Sequence, residues 1–387
     1  MKKKLLVTAS TFPRWEGDTE PRFVLDLCKA LKVYFDITVL VPACPDAKKE
    51  ELIEGIRVIR YHYFPIHRWE TLCYPGAIVP RIKEKKIRAF LVPFLFLGLW
   101  KQLHHIINDF DIVHAHWIIP QGIVQSFFKK PYLVTGHGGD VTSLNKGIVK
   151  KLKIKCLKEA SAVTVVSEAL REEIRNLCDV NNISIIPMGC DTKKFGKKFR
   201  VKNYFNQNGK KIVLFVGRLA EKKGVTYLIE AMKKVDAKLI IVGDGPLRKG
   251  LEEQAAEMKD KVVFLGSKTH EQLKEIYASS DVFVAPSVTA KDGDKEGFGL
   301  VFLEAMASGL PVIGSNSGGI PSIVKNNENG FLVKEKDADE LGEKINLLIS
   351  DEELCRKYSE NAKKTAEQYD YSKIAQRYAQ KLYEITK

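Results

Sequence analysis

The chain is 387 residues long, which predicts two domains of ordinary size, and its 45% hydrophobic and 28% charged residues are globular values that allow a sizeable core. Its 62 Lys and Arg residues against 48 Asp and Glu give a net charge of +14. This charge favours anionic partners, namely nucleotides, phosphorylated substrates, nucleic acid or an acidic membrane surface, and the charge alone does not choose among them.

The cysteines are odd in number and show no Cys-x-x-Cys or Cys/His cluster. This pattern argues against a disulfide framework and against structural zinc, and it favours reduced thiols in a cytosolic compartment. The seven residues are Cys28, Cys44, Cys73, Cys156, Cys178, Cys190 and Cys355.

The first half of the chain is expected to begin with a buried strand rather than a signal peptide. The apolar stretch within residues 1–10 (MKKKLLVTAS) is too short for a leader and runs straight into a polar turn. A helical pattern follows at residues 22–34. Strand runs are predicted at residues 4–9, 37–42, 111–116, 132–137, 162–167 and 183–188.

The alternation of apolar strand runs with helices predicts an α/β fold with parallel sheets covered on both faces. Such sheets bind ligands at the carboxyl ends of their strands, where the chain turns into the next helix. The loop after the first strand run, with Gly17 and Asp18, is expected at such an edge.

A basic and apolar segment lies at residues 81–101 (RIKEKKIRAFLVPFLFLGLWK). Its uninterrupted apolar run, residues 89–100, has 12 residues and contains Pro93, so it is too short to span a bilayer. Two interpretations remain: a core helix with a solvated basic start, or a segment resting on an acidic membrane surface.

Histidines follow two of the predicted strands. His137 stands among glycines in PYLVTGHGGDV, where the chain could touch a substrate closely. His114 and His116 share one face of a strand end, and their roles are either packing and site lining or, less favoured, metal binding. No matching carboxylate cluster accompanies them.

The two halves are separated by residues 192–211 (TKKFGKKFRVKNYFNQNGKK), which contain eight Lys and Arg, no acid and no strong periodicity. We predict an interdomain linker there, between a domain at 1–191 and a domain at 212–370. Strand runs of the second half are predicted at residues 211–217, 237–245, 261–267, 282–287 and 311–315.

Two loops of the second half carry candidate ligand groups. Arg218 and Lys223 follow the strand that ends at Gly217, and two cations at a strand end suit a diphosphate. In IIVGDGPLRKG, Gly243 begins a tight turn, but Arg248 stands where a dinucleotide fingerprint needs its third glycine. The Asp-Gly-Asp at residues 292–294 is interpreted as an exposed acidic loop rather than a metal site.

In residues 295–306 (KEGFGLVFLEAM), a Gly-Phe-Gly turn opens directly into an apolar helix. Free N–H groups and the helix dipole at such a start form an anion site. Glu304 lies inside the apolar run, where a carboxylate needs a partner: either a Lys or Arg, or the two hydroxyls of a ribose. Glu296, before the turn, could hold the hydroxyls of a second sugar.

Together these motifs resemble the retaining glycosyltransferases of family 4, which have the GT-B fold of two facing Rossmann-like doubly wound domains with a cleft between them. The strongest match is residues 296–313, with the family's two glutamates separated by seven residues. Residues 216–224 and 243–246 match in order and spacing, and residues 114–117 and 136–139 match in the first half. One departure is that Gly17 precedes Asp18, where many relatives have a Gly-Gly pair.

The resemblance implies roles for individual residues. Glu304 would bind the ribose of a nucleotide sugar and Glu296 the donor-sugar hydroxyls, while Arg218 and Lys223 would bind the diphosphate and His137 would lie beside the donor sugar. We take His137, Arg218, Lys223 and Glu296 as catalytic. The substrate-binding set is Gly17, Asp18, Asp140, Gly217, Gly243, Phe298, Gly299, Leu300 and Glu304. The family also implies that the final helix, residues 371–387, packs back on the first domain.

The implied activity is transfer of a sugar from a nucleotide-diphosphate sugar to a hydroxyl acceptor, a lipid-linked or cell-surface glycan precursor, with retention of configuration. Neither a cofactor nor a divalent metal is expected, and nucleic acid is disfavoured because no binding motif accompanies the basic charge. The expected location is cytoplasmic; contact of residues 81–101 with the inner face of the cell membrane is the alternative to a core helix there. The alternatives are a GT-B nucleotide-sugar epimerase or hydrolase, and a non-catalytic nucleotide-sugar-binding protein.

Overall fold

The computed structural model describes residues 2–180, 182–206 and 209–386. The chain divides into two compact units, Met1–Pro187 with Ser372–Lys387, and Met188–Tyr371. Residues 192–211, predicted as a linker, lie inside the second unit. Within it the Val201 N–H donates to Ser279 Oγ at 3.0 Å, and the Phe195 ring lies 5.7 Å from the Tyr277 ring.

The first unit contains an eight-stranded sheet with the order β3-β4-β2-β1-β5-β6-β7-β8. Every neighbouring pair is parallel except β3 and β4, which form an antiparallel hairpin at one edge. The strands are β1 (Lys4–Thr8), β2 (Asp36–Pro42), β3 (Glu50–Ile53), β4 (Ile56–Tyr61), β5 (Ile112–His116), β6 (Tyr132–Gly136), β7 (Ala162–Val165) and β8 (Ile183–Ile185). The central strands β5, β6 and β7 are buried along their whole length, as expected for a parallel sheet covered on both faces.

Helices follow most of these strands. They are α1 (Phe23–Leu31), α2 (Ile78–Glu84), α3 (Val92–Ile106), α4 (Ile123–Gln125), α5 (Gly139–Thr142), α6 (Gly147–Glu159) and α7 (Glu168–Leu177). Short 3₁₀ turns at Lys86–Leu91 and Ile107–Asp109 extend α3 at both ends.

The second unit contains a six-stranded, fully parallel sheet with the order β11-β10-β9-β12-β13-β14. Its strands are β9 (Ile212–Val216), β10 (Lys238–Val242), β11 (Val262–Gly266), β12 (Val282–Ala285), β13 (Val312–Ser315) and β14 (Gly330–Val333). Strand order reverses at β9 and β12, which is where doubly wound sheets bind their ligands.

The helices of the second unit are α8 (Val225–Ala231), α9 (Arg248–Gln254), α10 (His270–Ala278), α11 (Leu300–Ala307), α12 (Ala338–Ser350) and α13 (Glu352–Gln368). Local sequence fixes several of their starts. Thr269 and Gln272 form a capping box at α10, and the carboxylates of Asp337 and Asp351 accept backbone N–H bonds at the starts of α12 and α13.

The last helix, α14 (Tyr371–Glu384), belongs to the first unit from Ser372 onward. It packs there with Ile374, Tyr378 and Leu382 fully buried. The Tyr378 hydroxyl donates to the Ile186 carbonyl at 2.7 Å, and the Tyr383 hydroxyl donates to the Tyr34 carbonyl at 2.9 Å.

Candidate active site

The loop after β9 carries Gly217, the exposed Arg218 and, further on, Lys223. Gly224, which follows Lys223, takes a left-handed backbone conformation (φ +64°). A Cβ on Gly224 would come within 1.9 Å of the Pro286 carbonyl oxygen, just beyond β12. Glycine is therefore needed for the Lys223 loop to lie against the neighbouring strand end.

The loop after β10 packs directly on the loop after β9. Gly243 donates its N–H to the Gly266 carbonyl at 2.9 Å, and a Cβ on Gly243 would lie 1.9 Å from the Gly217 carbonyl oxygen. The structure thus brings Gly217 and Gly243 together as backbone neighbours at the carboxyl edge of the second sheet.

Lys223 and Glu296 form an ion pair at this edge, with side chains that are only 16% and 14% exposed. Lys222 is nearby and pairs with Asp294 at 3.0 Å. Burial opposes ionisation of Glu296, but the charges of Lys223 and Lys222 outweigh it and lower the pKa of the Glu296 carboxyl to about 2. Glu296 is therefore a carboxylate, able only to accept hydrogen bonds, at any pH near neutral.

Glu304 lies in the middle of α11 and is 14% exposed. The buried Tyr277 of α10 donates its hydroxyl to Glu304 Oε2 at 2.8 Å, and His270 Nδ1 lies 3.9 Å from Oε1. One end of the carboxylate is thus fixed by a tyrosine, and the other faces a half-buried histidine. The sequence suggested either a Lys or Arg partner or a ribose for this buried glutamate. The neighbours named here are a tyrosine and a histidine, and the ribose role stays a prediction.

The turn between the two glutamates starts α11. Gly299 has a φ of +91°, a left-handed conformation that favours glycine, and Leu300 is the first helical residue. The Phe298 side chain is buried, with its ring 5.8 Å from that of Tyr369. Phe298 would therefore offer a ligand its backbone rather than its ring.

In the first unit, Gly17 lies exposed in the loop after β1 with a φ of +83°. The Asp18 carboxylate beside it is buried and engaged by Arg14. Arg14 Nη2 donates to Oδ1 at 2.7 Å and Nε donates to Oδ2 at 2.9 Å. Although burial acts against ionisation, these bonds and the Arg14 charge keep the pKa of Asp18 below its usual value. Asp18 closes the loop, and its substrate role stays a prediction.

Asp140 ties together two loops of the first unit. Its Oδ1 accepts the N–H groups of His137 and Gly138 at 3.0 and 2.9 Å, and its Oδ2 accepts the Ile118 N–H at 2.9 Å. Burial outweighs these bonds and raises the pKa of Asp140. The carboxylate therefore fixes the backbone of the His137 loop, while direct contact with a ligand stays a prediction.

The three histidines lie close together. His116 Nδ1 is 3.0 Å from His137 Nε2, His114 Nε2 is 2.8 Å from Thr135 Oγ1, and the rings of His114 and His116 are 4.1 Å apart. Burial lowers the pKa of His114 and of His137 to about 3, and that of His116 well below its ordinary value. All three rings are therefore neutral near pH 7.

Metal-ligating groups do not cluster in the part of the chain that the structure describes. Across residues 2–180, 182–206 and 209–386, no group of three or more His, Cys, Asp or Glu side chains could hold a metal ion. Within the Asp-Gly-Asp loop, Asp294 is paired with Lys222.

Helix α3 and the 3₁₀ turn that precedes it bury one set of apolar side chains and expose another. Leu95, Leu99 and Leu103 are buried, whereas Phe90 and Leu97 are 61% and 60% exposed. By length and composition alone, the 24-residue helical segment Lys86–Asp109 could cross a membrane, and 28% of its apolar window is buried in the protein. A single helix of this kind is weak evidence of a membrane span. The helical segment is nevertheless longer than the 12-residue apolar run at 89–100, which alone is too short to cross a bilayer.

Several residues that contact these candidate groups were not predicted from the sequence. Lys222 could have been noticed as the neighbour of Lys223 in a Lys-Lys pair. Tyr277 resembles an ordinary core residue of an amphipathic helix, so no signal singled it out. Gly318 and Gly319 form a Gly-Gly pair whose added Cβ atoms would meet the carbonyl oxygens of Glu296 and Gly297 at 2.2 and 2.0 Å.

Comparison with known protein families gives two matches. Residues 197–365 match the family described as "Glycosyl transferases group 1", and residues 21–194 match "Glycosyltransferase Family 4". A curated relative, the uncharacterized glycosyltransferase MJ1607 of Methanocaldococcus jannaschii, is 32% identical over 328 residues, 78% of this chain and 83% of the relative. The N-acetyl-alpha-D-glucosaminyl L-malate synthase of Bacillus anthracis is 29% identical over 81% of this chain and 85% of its own.

Solved structures match over nearly the whole chain. Sucrose-phosphate synthase from Thermosynechococcus elongatus superimposes with a TM-score of 0.80 at 23% identity, covering 99% of each chain. HepE from Anabaena, solved with UDP and glucose, gives a TM-score of 0.76 at 21% identity and covers 99% of this chain and 100% of its own. At these identities the likeness shows the fold, and it confirms the predicted α/β GT-B class.

Proposed function

Because the chain belongs to the family 4, or group 1, glycosyltransferases, we propose that it transfers a sugar from a nucleotide-diphosphate sugar to a hydroxyl acceptor with retention of configuration. The observation that supports this most strongly is the pair of buried glutamates on either side of one glycine turn, Glu296 just before the turn and Glu304 within the helix that follows it. Glu296 is held by Lys223 and Glu304 by Tyr277.

Glu304 is proposed to bind the ribose. Tyr277 donates its hydroxyl to Oε2, and each carboxylate oxygen can accept more than one hydrogen bond, so the two hydroxyls of a ribose suit this side chain. Glu296 is proposed to bind the hydroxyls of the donor sugar, because it stays ionised and can only accept hydrogen bonds. The start of α11 between them offers backbone N–H groups to the diphosphate.

Arg218 and Lys223 are proposed to stabilise the leaving diphosphate. Breaking the bond between the anomeric carbon and the diphosphate oxygen leaves positive charge on the sugar and negative charge on the phosphate. Cations that are already in place at that oxygen lower the barrier more than water can. Lys223 is paired with Glu296, so its charge is held at the site before a diphosphate arrives.

The transfer itself is proposed to occur on one face of the sugar. The acceptor oxygen bonds to the anomeric carbon as the diphosphate oxygen leaves that same face, and the departing diphosphate takes the acceptor proton. Configuration is then retained without a covalent enzyme intermediate. We propose that no divalent metal is needed, since the two cations supply the charge that a metal would otherwise supply.

The acceptor is proposed to be a lipid-linked or membrane glycan reached from the cytoplasmic side. The exposed apolar stripe of α3 supports this, together with the lysines and arginines that precede it in residues 81–88. A helix with apolar residues on one face and cations beside them suits the surface of an acidic membrane.

The proposal can be tested with a panel of nucleotide sugars. Thermal shift would identify the donor that stabilises the protein, and NMR of the product formed with a glycolipid acceptor would give the anomeric configuration. We expect an α-linked product from an α-linked donor, formed equally well in the presence of EDTA. Inversion of configuration would contradict the mechanism, and loss of activity in EDTA would contradict the metal-free proposal.

In the same assay Arg218→Ala should lower turnover by about 100-fold or more, because it removes a cation from the leaving group. Lys249→Ala, at a lysine of α9 whose side chain is exposed, is the control and should leave turnover unchanged. Unchanged turnover in Arg218→Ala would remove Arg218 from the proposed site. Release of free sugar without an acceptor product would favour a hydrolase.

A further inference from the structure

His116 and His137 are joined by a hydrogen bond between two ring nitrogens. His116 is the last residue of β5, fully buried, and His137 follows the adjacent strand β6. The bond runs from His116 Nδ1 to His137 Nε2 over 3.0 Å, with ring centroids 5.2 Å apart. A bond between two neutral imidazoles needs one N–H and one lone pair, so the position of a single proton defines both rings.

The other nitrogen of His116 decides where that proton lies. His116 Nε2 is buried, with no hydrogen-bond partner among the residues that the structure describes. If His137 Nε2–H were the donor, neutral His116 would carry its own proton on this partnerless nitrogen. If His116 Nδ1–H is the donor, only a lone pair is left there. Since buried N–H groups without a partner are rarer than unsatisfied acceptors, the second arrangement is favoured.

If either ring carried a second proton, it would be the donor and the other ring the acceptor, but burial opposes protonation of both rings. The pKa of His137 is lowered to about 3 and that of His116 lies well below its usual value, so both rings are neutral near pH 7. His114 does not compete for the bond, because its Nε2 is engaged by Thr135 Oγ1 at 2.8 Å.

The proton on His137 must then be on Nδ1. This nitrogen has no hydrogen-bond partner within residues 2–180, 182–206 and 209–386, and the His137 side chain is half-buried rather than enclosed. Asp140 holds the backbone N–H of His137, and the Trp117 ring packs 4.8 Å from the imidazole. The His137 ring is therefore fixed in place, and its Nδ1–H is the polar group that can donate to a ligand.

We propose that His116 is a positioning residue that holds His137 in its neutral Nδ1–H tautomer, so that His137 meets a ligand as a hydrogen-bond donor rather than an acceptor. The suitable ligand atom is an oxygen that accepts a hydrogen bond, such as a sugar hydroxyl. The catalytic consequence rests on the proposed function of His137 beside the donor sugar. The tautomer itself does not.

The first test is spectroscopic and uses the full chain without ligand. Long-range ¹H–¹⁵N correlation of ¹⁵N-histidine protein, assigned by comparison with His137→Gln, reports which ring nitrogen of His137 carries the proton. The wild-type protein and His116→Asn, whose amide N–H can replace Nδ1–H, should show Nδ1–H. His116→Leu, similar in size but without a donor, should shift His137 towards the Nε2–H form. An Nε2–H form in the wild-type protein would overturn the proposal.

The second test is kinetic and separates the two claims. His116→Leu should lower kcat about tenfold, the effect of one hydrogen bond, with little change in KM for the donor, and His116→Asn should restore the rate. His114→Asn, which does not bond to His137, is the control for packing damage and should leave the His137 tautomer unchanged. If the tautomer shifts in His116→Leu while kcat does not, the positioning role stands and the placement of His137 beside the sugar fails.

Discussion

At the scale of single residues, the site depends on how each buried carboxylate is partnered. Glu296 is held by a lysine, which keeps it ionised, whereas Glu304 is oriented by the neutral hydroxyl of Tyr277. A carboxylate can accept several hydrogen bonds on its two oxygens, and its charge strengthens each of them. Removal of the Glu304 charge is therefore expected to weaken the binding of a nucleotide.

Glu304→Gln keeps the size of the side chain but removes its charge and one acceptor. We expect the dissociation constant for a nucleoside diphosphate to rise by about tenfold or more, because hydrogen bonds to charged groups contribute about 1.5–3 kcal/mol. Calorimetry with UDP and GDP measures this, with Glu257→Gln on the exposed surface as the control. Wild-type affinity in Glu304→Gln would argue against the ribose role.

The residue scale also shows what sequence reasoning can find. Glu296 and Glu304 were predicted because a carboxylate beside a glycine turn or in an apolar helix is visible in one stretch of sequence. Tyr277 was missed because its partner is contributed by a different helix, and a tyrosine in a buried helical face looks like core. Asp18 and Asp140 were predicted to bind substrate, and that role stays a prediction; the structure adds that Arg14 engages the oxygens of Asp18 and that backbone N–H groups engage those of Asp140.

At the scale of elements, each predicted strand run overlaps an observed strand, because apolar runs in a parallel sheet are distinctive. The three strands that were not predicted are β3, β4 and β14. β3 and β4 form a hairpin at one edge of the first sheet, with exposed or half-buried residues among the buried ones, and β14 is the short outer strand of the second sheet. β3 and β14 have only four residues each, and β4 contains Arg57 and Arg60, so none of the three presents a long apolar run.

The loop before the 3₁₀ turn Ile320–Ser322 packs against the backbone of the Glu296 turn. Adding one methyl group to this loop tests whether the contact stabilises the turn. Gly319 donates its N–H to the Glu296 carbonyl at 2.9 Å, and its added Cβ would lie 2.0 Å from the Gly297 carbonyl oxygen. Gly319→Ala should lower the free energy of unfolding by about 1–3 kcal/mol, the usual cost of overpacking.

Gly250→Ala is the matched control, because a Cβ there meets nothing within 4 Å and alanine favours the helix. Urea denaturation followed by circular dichroism compares the two variants. Equal stability of Gly319→Ala and the wild-type protein would mean that the loop moves freely away from the turn, so that it does not support Glu296.

At the scale of the whole molecule, a net charge of +14 and one exposed apolar helix face act together. Ile87 is 81% exposed and Trp100 is 41% exposed. Both lie in the same helical segment, Lys86–Asp109, as the exposed Phe90 and Leu97. Each lysine or arginine near an acidic membrane contributes about 1 kcal/mol, and this attraction weakens as salt screens it. The positive charge and the exposed apolar side chains are thus both expected to favour binding to the surface of an acidic membrane.

We therefore expect the protein to sediment with acidic phosphatidylglycerol vesicles at low salt and to be released by high salt. Phe90→Ser combined with Leu97→Ser should reduce the bound fraction several-fold, since two exposed apolar side chains no longer enter the interface. Leu347→Ser, at an exposed leucine of the second unit, is the control and should bind as the wild-type protein does. Binding that is independent of both salt and these substitutions would exclude this surface as the membrane contact.

The placement of α14 has a consequence for the order in which the protein can be made. The first unit is built from residues up to Pro187 together with residues from Ser372 onward, and the whole second unit lies between them in the chain. During translation the groove for Ile374, Tyr378 and Leu382 therefore stays uncovered until the ribosome has passed the second unit. The second unit is contiguous and can fold as it emerges, so the half that is synthesised first is the half that matures last.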